Sequence, residues 1–210
     1  MIVTLLRHGS TIWNEQGRMQ GRRDVPLSDR GRTQVRAWRM PAAGPAQSGE
    51  GPAAPASWLS SPLRRALETA EILSGGTPRV EDALTEMDWG EWEGFTLDEL
   101  RGRYGAEFLR NEAAGLDFRP PGGESPRDVV RRVQGWLTRV GAGRQPVVAV
   151  THKGVLRAAL AMATGWDMTC KPGIRLREDA LHRFAVSAEG TVSILQCNVA
   201  LCPGSSIDPP

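Results

Sequence analysis

The sequence predicts an α/β layer fold, and three observations carry that expectation. Short apolar runs of strand length alternate along the chain with longer segments of helical spacing. Three of the runs lead into reactive or cationic residues: Arg7-His8-Gly9, Leu63-Arg64-Arg65-Ala66 and Thr151-His152. In open α/β sheets ligands bind beyond the carboxyl ends of the strands, so these stretches are expected to meet at one rim. The 210 residues are also enough to bury a full core in a single domain. That domain is expected over 1–202, with a frayed tail at 203–210.

Taken in order, Ile2 to Leu6 (IVTLL) reads as a buried parallel strand, followed by a polar, Gly-rich loop to Pro26. Ser28 has the character of an N-cap for a helix through Val35 and Trp38. Residues 41–57, nearly without large apolar side chains, read as a flexible Pro/Ala/Gly surface loop. A strand resumes over Trp58 to Ser60, and Pro62 suits the first turn of a helix reaching Leu73. An acidic and aromatic loop occupies 80–95, and helical spacing runs from Leu97 to Asn111. Glu124 and Ser125 then open a helix with Val129, Val133, Trp136 and Leu137 on one face. Pro146 to Val150 (PVVAV) is the clearest buried strand, backed by a helix from Gly154 to Ala163. Leu181 to Val186 and Val192 to Leu195 read as late strands around a Glu189-Gly190 turn.

Composition excludes more than it assigns. A net charge of +2, with basic residues interspersed among acids, argues against nucleic acid and against an anionic membrane surface. Cys170, Cys197 and Cys202 show no zinc-type spacing. No basic leader with an apolar core precedes residue 20, and no apolar run approaches spanning length, so a reduced cytoplasmic protein is expected. The sequence leaves a homodimer open.

The chemistry lies in the histidines and arginines. Phosphoryl transfer asks for positioning and positive charge around the equatorial oxygens. Arg7 and Arg65 can each donate forked hydrogen bonds, worth roughly 1.5–3 kcal/mol apiece. One histidine, if neutral, can be a nucleophile and split one hard displacement into two. The other, more useful as a cation, can stabilise the transferring group. A carboxylic acid must then protonate the leaving oxygen.

Five ordered motifs carry a resemblance across residues 2 to about 160. They are Arg7-His8-Gly9-Ser10-Thr11-Ile12-Trp13-Asn14 with Gly17-Arg18-Met19-Gln20-Gly21, and Ser60-Ser61-Pro62-Leu63-Arg64-Arg65-Ala66. Leu84-Thr85-Glu86 with Gly90-Glu91-Trp92-Glu93-Gly94, Pro121-Gly122-Gly123-Glu124-Ser125, and Val150-Thr151-His152-Lys153-Gly154 follow. Together they resemble the histidine phosphatase superfamily, which also contains the cofactor-dependent phosphoglycerate mutases. The resemblance implies a three-layer α/β/α sandwich around a mainly parallel central sheet. It further implies that His8 becomes phosphorylated, that Arg7, Arg65 and His152 complete the phosphate pocket, and that Glu86 handles the leaving-group proton. Asn14 would add a neutral donor, and Gln20 and Gly21 would line the pocket mouth. No metal and no cofactor are implied, and the partner is a small phosphorylated metabolite.

Several residues keep two readings. Lys153, where the family is commonly small, either reaches a second anionic group on the substrate or is a solvated helix-start residue. Asp88, Glu91 and Glu93 compete with Glu86 as the acid. Trp89 and Trp92 either desolvate that acid or simply pack, and Glu124 either has a capping or structural role or faces the pocket. Ser10 replaces the glutamate or glutamine that family members often carry. His182 reads as structural, and the motif register places Arg65 in the pocket with Arg64 exposed. The short stretch from Glu86 to His152 favours a phosphatase over a phosphoglycerate mutase. Within phosphatases, the α-ribazole-5′-phosphate and broad-specificity sugar-phosphate types fit comparably. A silent binding protein on the same fold would bind phosphate compounds without releasing phosphate.

Overall fold

The structure, a computed structural model, describes residues 1–41, 56–143 and 145–201. Six strands form one sheet: β1 (Ile2–Arg7), β2 (Ser57–Ser60), β3 (Arg79–Val80), β4 (Val147–Thr151), β5 (Ala180–Val186) and β6 (Val192–Ala200). Their order is β3-β2-β4-β1-β5-β6. β3, β2, β4 and β1 are mutually parallel, whereas β5 pairs antiparallel with β1 and β6 antiparallel with β5. The sheet is therefore mixed, with its parallel part at the strands that matter for the site.

Both faces of β1 and β4 are covered, as their unbroken apolar runs require. Val3, Leu5, Val147 and Ala149 pack on one side with α4 (Leu97–Glu112), α5 (Pro126–Gly141) and α6 (Lys153–Thr164). Leu6, Val148 and Val150 pack on the other with α2 (Asp29–Ala37) and α3 (Arg64–Ser74). This is the expected three-layer α/β/α arrangement. The expected face of α5 is confirmed residue by residue, since Val129, Val133, Trp136 and Leu137 are all buried.

Local chemistry accounts for the helix boundaries. Ser28 accepts from the Gly31 amide and starts α2, as expected. Ser125 caps α5 in a reciprocal box with Asp128, so Glu124 is not the cap. α3 begins at Arg64 after Leu63, which leaves Pro62 just outside rather than inside the first turn. β6 extends to Ala200, five residues past its apolar stretch, because pairing with β5 rather than its own composition holds it. A one-turn helix, α1 (Ile12–Glu15), and the two-residue β3 carried no sequence signal. Within 80–95 two 3-10 turns form, and Trp92 packs 5.0 Å from the Phe108 ring while Trp89 meets Phe118. Both tryptophans therefore pack. Buried His182 is structural too: its Nδ1 accepts from the Asn198 amide and its Nε2 donates to the Arg177 carbonyl. Of the predicted loop 41–57, residues 42–55 lie outside the described residues, as does the predicted tail, while Ser57 already belongs to β2.

Candidate active site

The strand ends align as the parallel register dictates. Arg7 stands opposite Thr151, and Ser60 opposite Val150. Two further bonds carry the register past the sheet edge, from the His8 amide to the Thr151 carbonyl (3.0 Å) and from the Ser61 amide to the Val150 carbonyl (3.0 Å). His8, His152 and the start of α3 are thus brought to one rim. The Gly9 amide donates to Thr69 Oγ1 on α3, and the Ser10 amide to Gln34 on α2, so two helices clamp the loop that carries His8.

His8 and His152 are buried, with ring centroids 5.0 Å apart. His8 Nδ1 lies 2.7 Å from the Gly9 carbonyl oxygen, which can only accept. Nδ1 therefore carries the proton, and Nε2 presents a lone pair. Burial first, then the nearby Arg7 and Arg65, hold the His8 pKa well below its ordinary value of 6.5. The same causes hold His152 low, with burial ahead of Arg65. In the unliganded site His152 is therefore neutral, not the cation that its chemistry suggested. Its Nε2 is 2.7 Å from Ser61 Oγ.

Arg65 is fully buried. Its terminal nitrogens donate to the carbonyls of Arg23 and Gly21, both at 2.7 Å. Gly21 adopts φ +50°, and a side chain there would collide with Glu93, so glycine is what lets this loop fold down onto Arg65. Desolvation lowers the Arg65 pKa to about 10, still cationic at neutral pH, with Glu86 opposing the shift. Arg7 pairs with Glu178 through Nη1. Among the described residues, three of the five buried side-chain nitrogens without a hydrogen-bond partner lie at the site, Arg7 Nε, Arg65 Nε and His152 Nδ1; the other two are the Trp92 and Trp136 indole nitrogens. The three at the site belong to residues expected to hold an oxyanion, and phosphate oxygens would satisfy them.

Glu86 follows the first 3-10 turn, and its Oε1 accepts from the Met87 amide (2.8 Å) and the Gly154 amide (3.0 Å). The second of these comes from the N-terminal turn of α6, where a carboxylate is favoured. A Cβ on Gly154 would lie 2.3 Å from Glu86 Oε1, a mobile side-chain end. Gly154→Ala should therefore fold but displace Glu86. We expect kcat lowered about 10- to 100-fold, within the range of general acid catalysis, with circular dichroism unchanged.

The remaining expected residues divide. Asn14 Oδ1 accepts from the Thr11 amide in the α1 capping box, leaving its NH2 as the group available to a ligand. Gln20 is buried and accepts from Thr11 Oγ1 at 2.9 Å. Gly21 acts through its carbonyl on Arg65. Lys153 is exposed and lies 3.5 Å from Glu178, so it is an ion-paired residue at the rim. Arg64 is exposed, as the motif register required. Glu124 joins Arg22, Arg132 and the Asp88 amide, a structural role rather than a helix cap. Ser61 and Glu178 were missed, although Ser61 lies inside a recognised motif.

All three histidines have lowered pKa values, burial being the first cause in each. Each folded pKa is below the unfolded one, so the unfolded chain binds protons first as pH falls. Stability contributed by these rings is complete above about pH 6.5 and declines below it, by up to about 1.4 kcal/mol per pH unit per histidine. Urea midpoints should fall from pH 7 to pH 5, and fall less in His8→Ala. A flat profile over that window would contradict the burial of neutral imidazoles.

Comparison with known proteins agrees with this geometry. Residues 3–198 match the histidine phosphatase superfamily (branch 1). A 2,3-bisphosphoglycerate-dependent phosphoglycerate mutase of Methylobacterium radiotolerans is 31% identical over 202 residues, covering 91% of this chain and 92% of that protein. The solved Bacillus stearothermophilus YhfR superposes with a TM-score of 0.79 at 30% identity, covering 95% and 97% of the two chains. The mycobacterial glucosyl-3-phosphoglycerate phosphatase, solved with VO3, gives a TM-score of 0.75 at 27% identity, covering 95% and 99%. With a match over nearly its whole length, and with the family's five motifs in order, the chain belongs to the histidine phosphatase superfamily and is an enzyme of that superfamily.

Proposed function

We propose that the protein is a metal-independent phosphomonoester hydrolase that acts through a phosphohistidine on His8, with a small phosphorylated metabolite as substrate. The observation that carries this reading is the setting of His8: buried, its pKa held low by that burial, and its Nδ1 2.7 Å from the Gly9 carbonyl oxygen, which leaves Nε2 as the nitrogen with a lone pair. In the first step Nε2 attacks phosphorus while the ester P–O bond breaks. Glu86 gives its proton to the departing oxygen through the carboxyl oxygen not held by backbone amides. In the second step Glu86 takes a proton from water, the hydroxyl attacks phosphorus, and the P–N bond breaks to release phosphate. Arg7, Arg65 and the Asn14 amide donate to the transferring oxygens throughout. Ser61 can donate its hydroxyl proton to His152 Nε2, which puts the imidazole N–H on Nδ1, the atom without a protein partner. The same reading takes residues 1–202 as one domain.

A second reading, phosphoglycerate mutation, has the names of relatives such as the Methylobacterium enzyme in its favour. It needs adjacent cations for the substrate carboxylate. Between Glu86 and His152 the adjacent pair is Arg131-Arg132, on α5. Arg132 is committed to the Ala83 carbonyl and Glu124, and exposed Arg131 to Asp128. This favours hydrolysis.

Phosphate release from a phosphomonoester panel, including 3-phosphoglycerate and α-ribazole phosphate, tests the proposal in the presence of EDTA. EDTA-resistant release supports it, and the preferred ester names the pathway. Isomerisation of phosphoglycerate without net phosphate release would overturn it in favour of the mutase, and binding with neither reaction in favour of a silent binder.

A further inference from the structure

Glu178 lies on the segment between α6 and β5, far in sequence from every motif of the site. Its carboxylate pairs with Arg7 through one oxygen and lies 3.5 Å from Lys153 Nζ through the other. Arg7 is largely buried beside His8, whereas the Glu178 side chain is 56% exposed. An acid is thus seated on a phosphate-binding arginine at the mouth of the pocket, and it also occupies Lys153, the residue next to His152. Two further cations near the site are matched in the same way. Arg22 pairs with Asp88 and Glu124, and Arg23 with Glu93.

We propose that Glu178 is a selectivity residue: its carboxylate, held between Arg7 and Lys153, disfavours phosphomonoesters whose leaving group bears a second negative charge and favours esters of neutral or cationic alcohols. The inference deepens the hydrolase reading and rests on it. A phosphoryl group entering the pocket takes the Arg7 donors. Glu178 then remains at the rim beside Lys153, and a substrate carboxylate arriving there meets a like charge and an already neutralised lysine. A hydroxyl or an ammonium group meets an acceptor instead.

Glycerol 3-phosphate and 3-phosphoglycerate form a matched pair, differing by CH2OH against carboxylate. Binding of each is measured by calorimetry to His8→Ala and to His8→Ala/Glu178→Gln, where no turnover intervenes. We expect glycerol 3-phosphate to bind the first at least about fivefold more tightly. Glu178→Gln should narrow that ratio about threefold or more, towards one, and added salt should shrink the ratio before the substitution but not after it. Release of Arg7 would tighten both esters alike, so the ratio isolates the charge effect. Glu178→Ala should repeat the result if the glutamine variant fails to fold. A ratio unmoved by either substitution, or one favouring 3-phosphoglycerate from the start, overturns the proposal. Phosphate release by the otherwise native enzyme is scored separately. Absence of release with a Glu178-dependent ratio sinks the hydrolase reading alone, and release with an unmoved ratio sinks the selectivity alone.

Discussion

Alanine in place of His8 is expected to stop phosphate release, lowering kcat by at least about 10³-fold, as loss of a covalent nucleophile does elsewhere. The fold should survive. His8 contributes one ring bond, to its neighbour's carbonyl, while the loop that carries it is held by backbone contacts to Thr151, Thr69 and Gln34. Removing a buried imidazole that resists protonation should also flatten the acid side of the stability profile. Phosphate binding should persist in the variant, because Arg7, Arg65 and His152 remain. Steady-state assays with p-nitrophenyl phosphate beside calorimetric titration with inorganic phosphate separate the two effects. Residual turnover within tenfold of the native enzyme would remove His8 from the chemistry.

Arg65 carries the second large effect, and here function and stability fall together. Its guanidinium holds the 21–23 loop by two carbonyls while its Nε points to no protein acceptor, so one side chain builds the pocket wall and supplies charge. Arg65→Ala leaves two carbonyls without their donors and opens space under the loop. A loss of about 2–4 kcal/mol is expected by urea unfolding, with kcat/KM down by at least about 10²-fold. Arg65→Lys keeps the charge without the planar fork and cannot reach both carbonyls and the oxyanion. It should recover part of the stability and little of the catalysis. Equal catalysis by lysine would show that only charge matters at this position.

What could be read from the chain follows from which contacts are local. β1, β4 and the apolar face of α5 announce themselves because each is a short periodic pattern that burial on one or two faces dictates. The Ser28 cap is equally local. The proposed pocket residues His8, Arg65, Glu86 and His152 rest on ordered motifs rather than on any one residue. The bracing was not legible. Ser61 reaches His152 across 91 positions, and Arg22 reaches Glu124 across 102, so only the closed sheet makes them neighbours. Glu178 sits in a stretch without periodicity, and its meaning comes entirely from Arg7 and Lys153. α1 and β3 are too short to generate a pattern. The neutral state of His152 is likewise a property of burial beside two arginines, which composition does not report.

The central claim is that phosphate passes through Nε2 of His8, and trapping the intermediate tests it most directly. The native enzyme would be mixed with a ³²P-labelled ester in EDTA, quenched rapidly in base, where phosphohistidine is retained, and digested for mapping. The account predicts one label per molecule at most, on His8, in the Nε2-phosphorylated isomer, because the Gly9 carbonyl keeps Nδ1 protonated. Label on His152, label on Nδ1 of His8, or steady turnover with no trapped phosphohistidine would contradict it.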